Sequence, residues 1–295
     1  MAITKMPSAE VSIDDGLVRG LLRAQHPDLA GLSLEFLSEG WDNVMYRLGD
    51  ELLVRLPRRH ASVVLIESEQ RWLPSLSPRL PLEIPVPIRL GVGGEGYPWP
   101  WSVVAWVAGA RGSDSTFADP GAQARRLGRF LAALHVEAPD DAPRNDVRGV
   151  PLAARDEMTR DRLDELRDLV ETEALHGVWE RGLAAATWAG PPLWIHGDLH
   201  AANLIVDRGE IVSVIDWGDI TSGDPATDLA AAWMLFGAED RATFRDAAGD
   251  VDDATWQRSR AWALSLALAY LLHSADNPAM GAIGATTLDA ILGDE

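Results

Sequence analysis

The chain has 295 residues, and 26 Lys and Arg against 45 Asp and Glu give it a formal charge of −19. A hydrophobic fraction of 47% with 24% charged residues excludes wholesale disorder, and the length suits one large domain or two lobes. So acidic a surface repels phosphate backbones and attracts small cations, while the lack of Cys excludes disulfides and thiolate-held metal sites.

Residues 1–16 carry no apolar run behind Lys5, so they do not read as a secretory signal. The longest apolar stretch, residues 261–272, is too short to span a bilayer and reads as a buried helix. A cytoplasmic protein with no membrane and no nucleic-acid partner is the expectation.

Residues 11–25 carry Val11, Leu17, Val18, Leu21 and Leu22 and read as a helix. Residues 32–37, 43–48 and 51–56 are short runs rich in Leu, Val, Phe and Tyr, separated by Glu39-Gly40 and Gly49-Asp50, which predicts three strands and two turns. A helix over 62–73, closed by Pro74, and strands over 86–90 and 101–107 follow. Gly91, Gly93 and Gly96 match G-x-G-x-x-G, but Pro98 and Pro100 forbid the helix that a dinucleotide fingerprint needs, so a hairpin loop is expected there. Beyond residue 109 helices dominate. Leu127, Phe130, Leu131 and Leu134 share one helical face, and residues 152–186 form one or two amphipathic helices. A β interruption lies at 202–216, and helices resume from 225. The reading is α+β with two lobes: residues 1–108, a small antiparallel β-sheet with one key helix, and residues 109–295, larger and mostly helical. A ligand cleft is expected between them.

Residues 196–203 read His-Gly-Asp-Leu-His-Ala-Ala-Asn, followed by two apolar strands around a turn at Arg208-Gly209. A two-residue turn would set Val206 opposite Ile211, Ile205 opposite Val212 and Asn203 opposite Val214. Asn203 and Asp216 would then be diagonal neighbours on one face, roughly 7 Å apart at the backbone. An amide oxygen and a carboxylate suit a hard cation such as Mg²⁺, which takes oxygen ligands at about 2.0–2.1 Å. Asp198, just before the hairpin, can accept a hydrogen bond from a substrate hydroxyl and orient it. Turn and cap chemistry would explain any one of the three residues, but their joint spacing points to phosphoryl transfer.

The H-G-D-L-H-A-A-N string, with I-D-W-G-D at 215–219 and G-D-P-A-T-D-L-A at 223–230, resembles the aminoglycoside phosphotransferase family, including its macrolide-kinase branch. The resemblance implies a two-lobe protein-kinase-like fold that transfers the terminal phosphoryl group of ATP or GTP to a small-molecule hydroxyl. It implies Asp198 as catalytic base, Asn203 and Asp216 as Mg²⁺ ligands, His196 and His200 as scaffold of the catalytic loop, and Asp228 as its brace. Asp224 and Pro225 also read simply as the start of a helix. In the N-lobe the loop over 38–43, with Gly40 and Asn43, resembles the one that covers the nucleotide phosphates, although it lacks the multiple glycines of protein kinases. Arg55 stands where most kinase-like proteins have Lys, with Glu69 as its partner. Ala105 and Val107 would offer backbone groups to the purine.

Two other readings stay open. One is a metal-dependent hydrolase built on His196, His200 and Asp216, although two His four apart meet only on a helix, which Gly197 disfavours. The other is a catalytically weak kinase-fold binding protein, which Arg55 keeps open. No H-R-D, D-F-G or A-P-E string occurs, so a protein acceptor is not expected. The expected acceptor is antibiotic-like or a related small metabolite: an aminoglycoside drawn by the acidic lobe, or a macrolide held by some of the 12 Trp.

Overall fold

Asp14 opens the first helix, Asp15–Gln25 (α1), by accepting a hydrogen bond from the Leu17 amide at 2.8 Å. The computed structural model describes residues 6–294. The alternating burial of Asn43–Leu48 (β2) makes it the second strand of a five-stranded antiparallel sheet with Leu34–Glu39 (β1), Leu52–Pro57 (β3), Pro87–Gly91 (β4) and Trp101–Ala105 (β5). Its order is β1-β2-β3-β5-β4. Val18, Leu21 and Leu22 of α1 pack with Leu48, Val54, Leu56 and Trp101 into a separate small core. Between β4 and β5 the glycine run closes a tight loop in which Gly94 and Tyr97 exchange backbone hydrogen bonds, both at 2.8 Å, so no nucleotide-binding helix opens there. Gly91 is required by packing, because a Cβ there would meet the Trp101 indole at 1.9 Å.

The helix after β3, Val63–Leu76 (α2), runs past Pro74 instead of closing at it. Pro74 falls near the helix end, so its missing N–H removes only one hydrogen bond of the ladder.

After the sheet come the helices Pro120–Leu134 (α3), Asp156–Leu166 (α4), Thr172–Ala184 (α5), Ala226–Leu229 (α6), Ala231–Leu235 (α7), Ala238–Ala247 (α8), Asp253–Leu272 (α9) and Pro278–Leu292 (α10). Leu127, Phe130, Leu131 and Leu134 of α3 are all fully buried, as their spacing predicted. The apolar stretch inside α9 is likewise interior, and among the described residues no helix is long and apolar enough to cross a membrane. Three short strands had no sequence signal: Ala110–Arg111 (β6), Leu193–Ile195 (β7) and Thr221–Gly223 (β10). Two or three residues are too few to display a period.

Leu204–Asp207 (β8) and Glu210–Val214 (β9) form the expected hairpin, with β6 on the far edge of β8. Its register departs from the expectation. Val206 does pair with Ile211, but a bulge then sets Ile205 opposite Ser213 and Leu204 opposite Val214. Asn203 therefore lies in a short helical turn just before β8, and its carbonyl accepts the Ile215 amide at 2.9 Å. The second partner of β9 accompanies this shift: Glu83 donates to the Val212 carbonyl at 3.2 Å and accepts from the Val214 amide at 3.0 Å and the Ser213 hydroxyl at 2.8 Å. An extra residue on the doubly paired strand is absorbed as a bulge.

Candidate active site

The loop that follows β7 begins with two amides that have no strand to join. His196 N–H and Gly197 N–H both donate to the Asp228 carboxylate in α6, each at 2.8 Å, and His135 Nε2 lies 3.1 Å from the same group. Asp228 is fully buried, so this carboxylate is the floor on which the loop rests. Gly197 turns the chain with φ of 90°, and a Cβ there would stand 2.6 Å from the Asp219 carbonyl. Gly197→Ala is therefore expected to destabilise the fold by about 1–3 kcal/mol, as a left-handed backbone and a clash act together. A urea midpoint equal to that of the unaltered protein would show that the loop relaxes freely.

The His196 ring is buried against Trp217, with centroids 4.8 Å apart. Its Nε2 is 3.0 Å from the Ile215 carbonyl and its Nδ1 is 3.3 Å from the Asp198 amide. Both ring nitrogens are thus used inside the fold. His200 Nε2 stands 3.3 Å from both the Asp198 carboxylate and the Asn203 amide nitrogen. Among the described residues no group of three His, Asp or Glu could hold a metal ion. The ligand set of the metal-dependent hydrolase is therefore not assembled, because His196 points into the scaffold.

Asp198 is the most heavily partnered carboxylate in the loop. Its Oδ1 accepts from the Tyr270 hydroxyl at 2.8 Å and from Arg148 Nη2 at 3.1 Å. Burial works against its charge, but His200, Arg148 and the Tyr270 hydrogen bond outweigh it and hold the carboxyl well below the usual carboxylate range. Asp219 behaves in the opposite way. Burial is the main cause raising its pKa; the Arg148 charge works against this, while the neighbouring Asp198 and Asp216 charges add to it. Arg148 bridges the two, lying 3.7 Å from Asp219, whose other oxygen takes the Asn145 amide at 2.9 Å.

Asn203 donates its amide nitrogen to the Asp198 carbonyl at 2.8 Å, which leaves its Oδ1 as the available end. Asp216 follows directly on Ile215, the residue paired with Asn203, and is exposed. It adopts φ of 62°, a left-handed conformation for a non-glycine residue that costs about 1–3 kcal/mol. Such strain is characteristic of residues positioned for chemistry. Two oxygen donors, an amide and a carboxylate group, fit a magnesium ion that fills its other positions with water or phosphate.

Arg55 and Glu69 form a buried two-pronged ion pair, with Nη1–Oε2 at 2.5 Å and Nη2–Oε1 at 3.0 Å. Burial opposes the Arg55 charge, yet Glu69 and Asp216 carry its pKa upward. For Glu69, burial is the main upward cause and Arg55 the main downward one, while a hydrogen bond to the Trp217 backbone helps keep it charged. The pair thus joins β3 and α2 to the segment that carries Asp216.

The loop after β1 is tied down. Gly40 N–H donates to the Asn43 carbonyl at 2.9 Å, while Arg58 donates to the Gly40 carbonyl at 3.1 Å. The Gly40 amide is spent within the loop, and Asn43 Oδ1 is buried with no partner. At the end of β5, Trp106 N–H donates to the Glu51 carbonyl at 2.7 Å. Ala105, the last residue of β5, precedes this bond, and Val107 lies beyond the strand.

Three residues around Asp198 lie outside the reach of sequence reasoning: Arg148, Asp219 and Tyr270. Asp219 is part of the I-D-W-G-D string. Tyr270 is the lone hydroxyl in the apolar stretch 261–272 apart from Ser265, and a buried hydroxyl needs a partner. Arg148 carries no local signal at all.

A profile of the phosphotransferase enzyme family matches residues 33–262. Among curated proteins, the uncharacterized protein YcbJ of Bacillus subtilis (strain 168) is 24% identical over 151 residues, which is 50% of this chain and about half (49%) of that protein. The GDP complex of wild-type aminoglycoside 2'-phosphotransferase-IIIa superposes with a TM-score of 0.71 at 20% identity, covering 96% of this chain and 99% of that one. The streptomycin–ATP–APH(2")-IIa ternary complex gives 0.62 at 19% identity, covering 90% and 92%. Macrolide 2'-phosphotransferase MphH from Brachybacterium faecium, as apoenzyme, gives 0.60 at 22% identity, covering 94% and 98%. At these identities the likeness speaks for the fold, which is the protein-kinase-like one.

Proposed function

The chain belongs to the phosphotransferase enzyme family, and from that premise we propose that it is a Mg²⁺-dependent small-molecule kinase. It transfers the terminal phosphoryl group of ATP or GTP to a hydroxyl of an antibiotic-like compound, such as an aminoglycoside or macrolide, or of a related small metabolite. The supporting observation is Asp198, held ionised and oriented by Tyr270 and Arg148, with the Asn203 amide anchored on its carbonyl and the Asn203 Oδ1 left available.

Asp198 accepts the hydrogen bond of the acceptor hydroxyl and takes its proton as that oxygen bonds to the terminal phosphorus and the bond to the leaving diphosphate breaks. Tyr270 and Arg148 hold the Asp198 carboxylate in one orientation. Asn203 Oδ1 and the Asp216 carboxylate would hold magnesium, which when bound supplies neutralising charge to the phosphates. Arg55 meets the phosphates with the N–H groups not given to Glu69. Asp228, His196 and His200 keep the loop in shape, Gly40 and Asn43 belong to the cover over the phosphates, and Ala105 and Val107 present backbone groups to the purine. The two lobes divide after residue 108.

Titration calorimetry with ATP and GTP, each with and without Mg²⁺, tests this reading. Binding of at least one nucleotide that strengthens with Mg²⁺ is expected, and Asp216→Ala should lose the Mg²⁺-dependent increment. Absence of binding under every combination would remove the kinase reading.

A further inference from the structure

In a chain of charge −19, the arginine that holds Asp198 is one of a group of three. The charges of Arg148, of Arg155 just before α4 and of Arg162 within α4 act against one another. Arg148 has Asp198 and Asp219 to face, but Arg155 has no carboxylate among the described residues. Arg155 is 4% exposed, its Nη2 reaches only the Met158 sulfur at 3.1 Å, and its Nε is buried without a partner. Arg162, two helical turns further along, donates to the Ser265 carbonyl of α9 at 3.3 Å. At the end of α9, one turn from the hydroxyl that holds Asp198, His273 lies within reach of the Arg162 charge and its Nδ1 is buried and unpaired. Glu165 is the acid that acts on both Arg162 and His273.

Like charges gathered in a partly dry place cost free energy unless an opposite charge joins them. The strain is visible at Arg155, whose pKa is pushed down to about 10 by burial and then by Arg162 and Arg148. A polycationic acceptor beside Asp198 would add to this repulsion, whereas an anion would relieve it and find unused N–H donors.

We infer that, of the acceptors named above, the small metabolite applies and is an anionic alcohol, whose carboxylate or phosphate seats against Arg155 and Arg162 while its hydroxyl faces Asp198. The phosphorylation of that hydroxyl rests on the kinase reading above; the anion site does not.

Calorimetry on the full chain, with and without a non-hydrolysable ATP analogue and Mg²⁺, should compare glycerate and glycerol 3-phosphate with glycerol and kanamycin. At least one of the two anions is expected to bind about tenfold or more tighter than glycerol and than kanamycin, and the tighter of the two identifies the carboxylate or the phosphate as the recognised group. Arg162→Gln, half-exposed and so tolerant of exchange, should weaken that anion by about fivefold or more and leave glycerol little affected; Arg155→Gln should do the same if it folds. Anions that bind no better than glycerol, kanamycin binding tightest, or an anion affinity indifferent to Arg162→Gln would each overturn the inference. Failure of the nucleotide to bind, with the anion still bound, would overturn the kinase reading alone.

Discussion

Asp198→Asn is expected to lower the phosphoryl-transfer rate by about 10²–10⁴-fold, the range for removal of a general base. The exchange keeps the shape of the side chain and an oxygen for the Tyr270 and Arg148 hydrogen bonds, so the loop should persist. It removes the carboxylate charge to which the proposed mechanism gives the proton of the acceptor. Nucleotide affinity should stay close to that of the unaltered protein, because Asn203, Asp216 and Arg55 do not depend on the lost charge. Single-turnover transfer and nucleotide calorimetry on the same sample separate the two effects. A variant that retains full turnover would show that another group takes the proton.

The direction of the Asp198 shift also sets a pH dependence. With the folded carboxyl held below its unfolded value of about 3.9, the charged form contributes stability that is present above that value and is lost as the pH falls through the folded one. Asp198 is therefore ionised throughout the neutral and mildly acidic range. In kcat/KM profiles no acid-side inflection from Asp198 is expected between about pH 5 and 8. An inflection there that Asp198→Asn abolishes would contradict the electrostatic account.

Asp228→Ala is expected to cost about 3–5 kcal/mol of stability and to abolish activity with it. Two backbone amides and His135 converge on this fully buried carboxylate, and the Ala variant leaves all three without their acceptor. Desolvated N–H groups in that position have no water to turn to. Asp228→Asn, which retains one acceptor oxygen, should fall between Ala and the natural residue. Urea unfolding followed by tryptophan fluorescence reads the difference. Equal midpoints for all three proteins would mean that the catalytic loop does not rest on α6.

Much of this architecture was legible in the chain. Alternating apolar residues and turn pairs mark the strands of the small sheet, because a half-buried strand has a period of two and a hairpin needs Gly, Asn or Asp at its turn. The Leu127, Phe130, Leu131 and Leu134 stripe marks α3 for the same kind of reason, and Pro98 and Pro100 correctly deny a helix to the glycine run. The motif around Asp198 could be read because its spacing is local: Asp198, Asn203 and Asp216 lie within 19 residues of one another.

Other features were invisible for a common reason. The bulge in β9 depends on Glu83, about 130 residues away, pairing with the strand from its other side. The partners of Asp198 come from residue 148 and residue 270, and neither has a neighbour in the chain that announces it. Composition and local pattern settle which segments are helix, strand or turn, since those depend on backbone propensity and on which face is apolar. The charge environment of Asp198 was decided by long-range packing: a −19 chain suggests a welcome for cations, yet folding groups Arg148 with Arg155 and Arg162 and lays Arg148 on Asp198. Net charge is a sum over the whole surface, whereas an ion responds to the few groups that burial has brought within several ångströms of it.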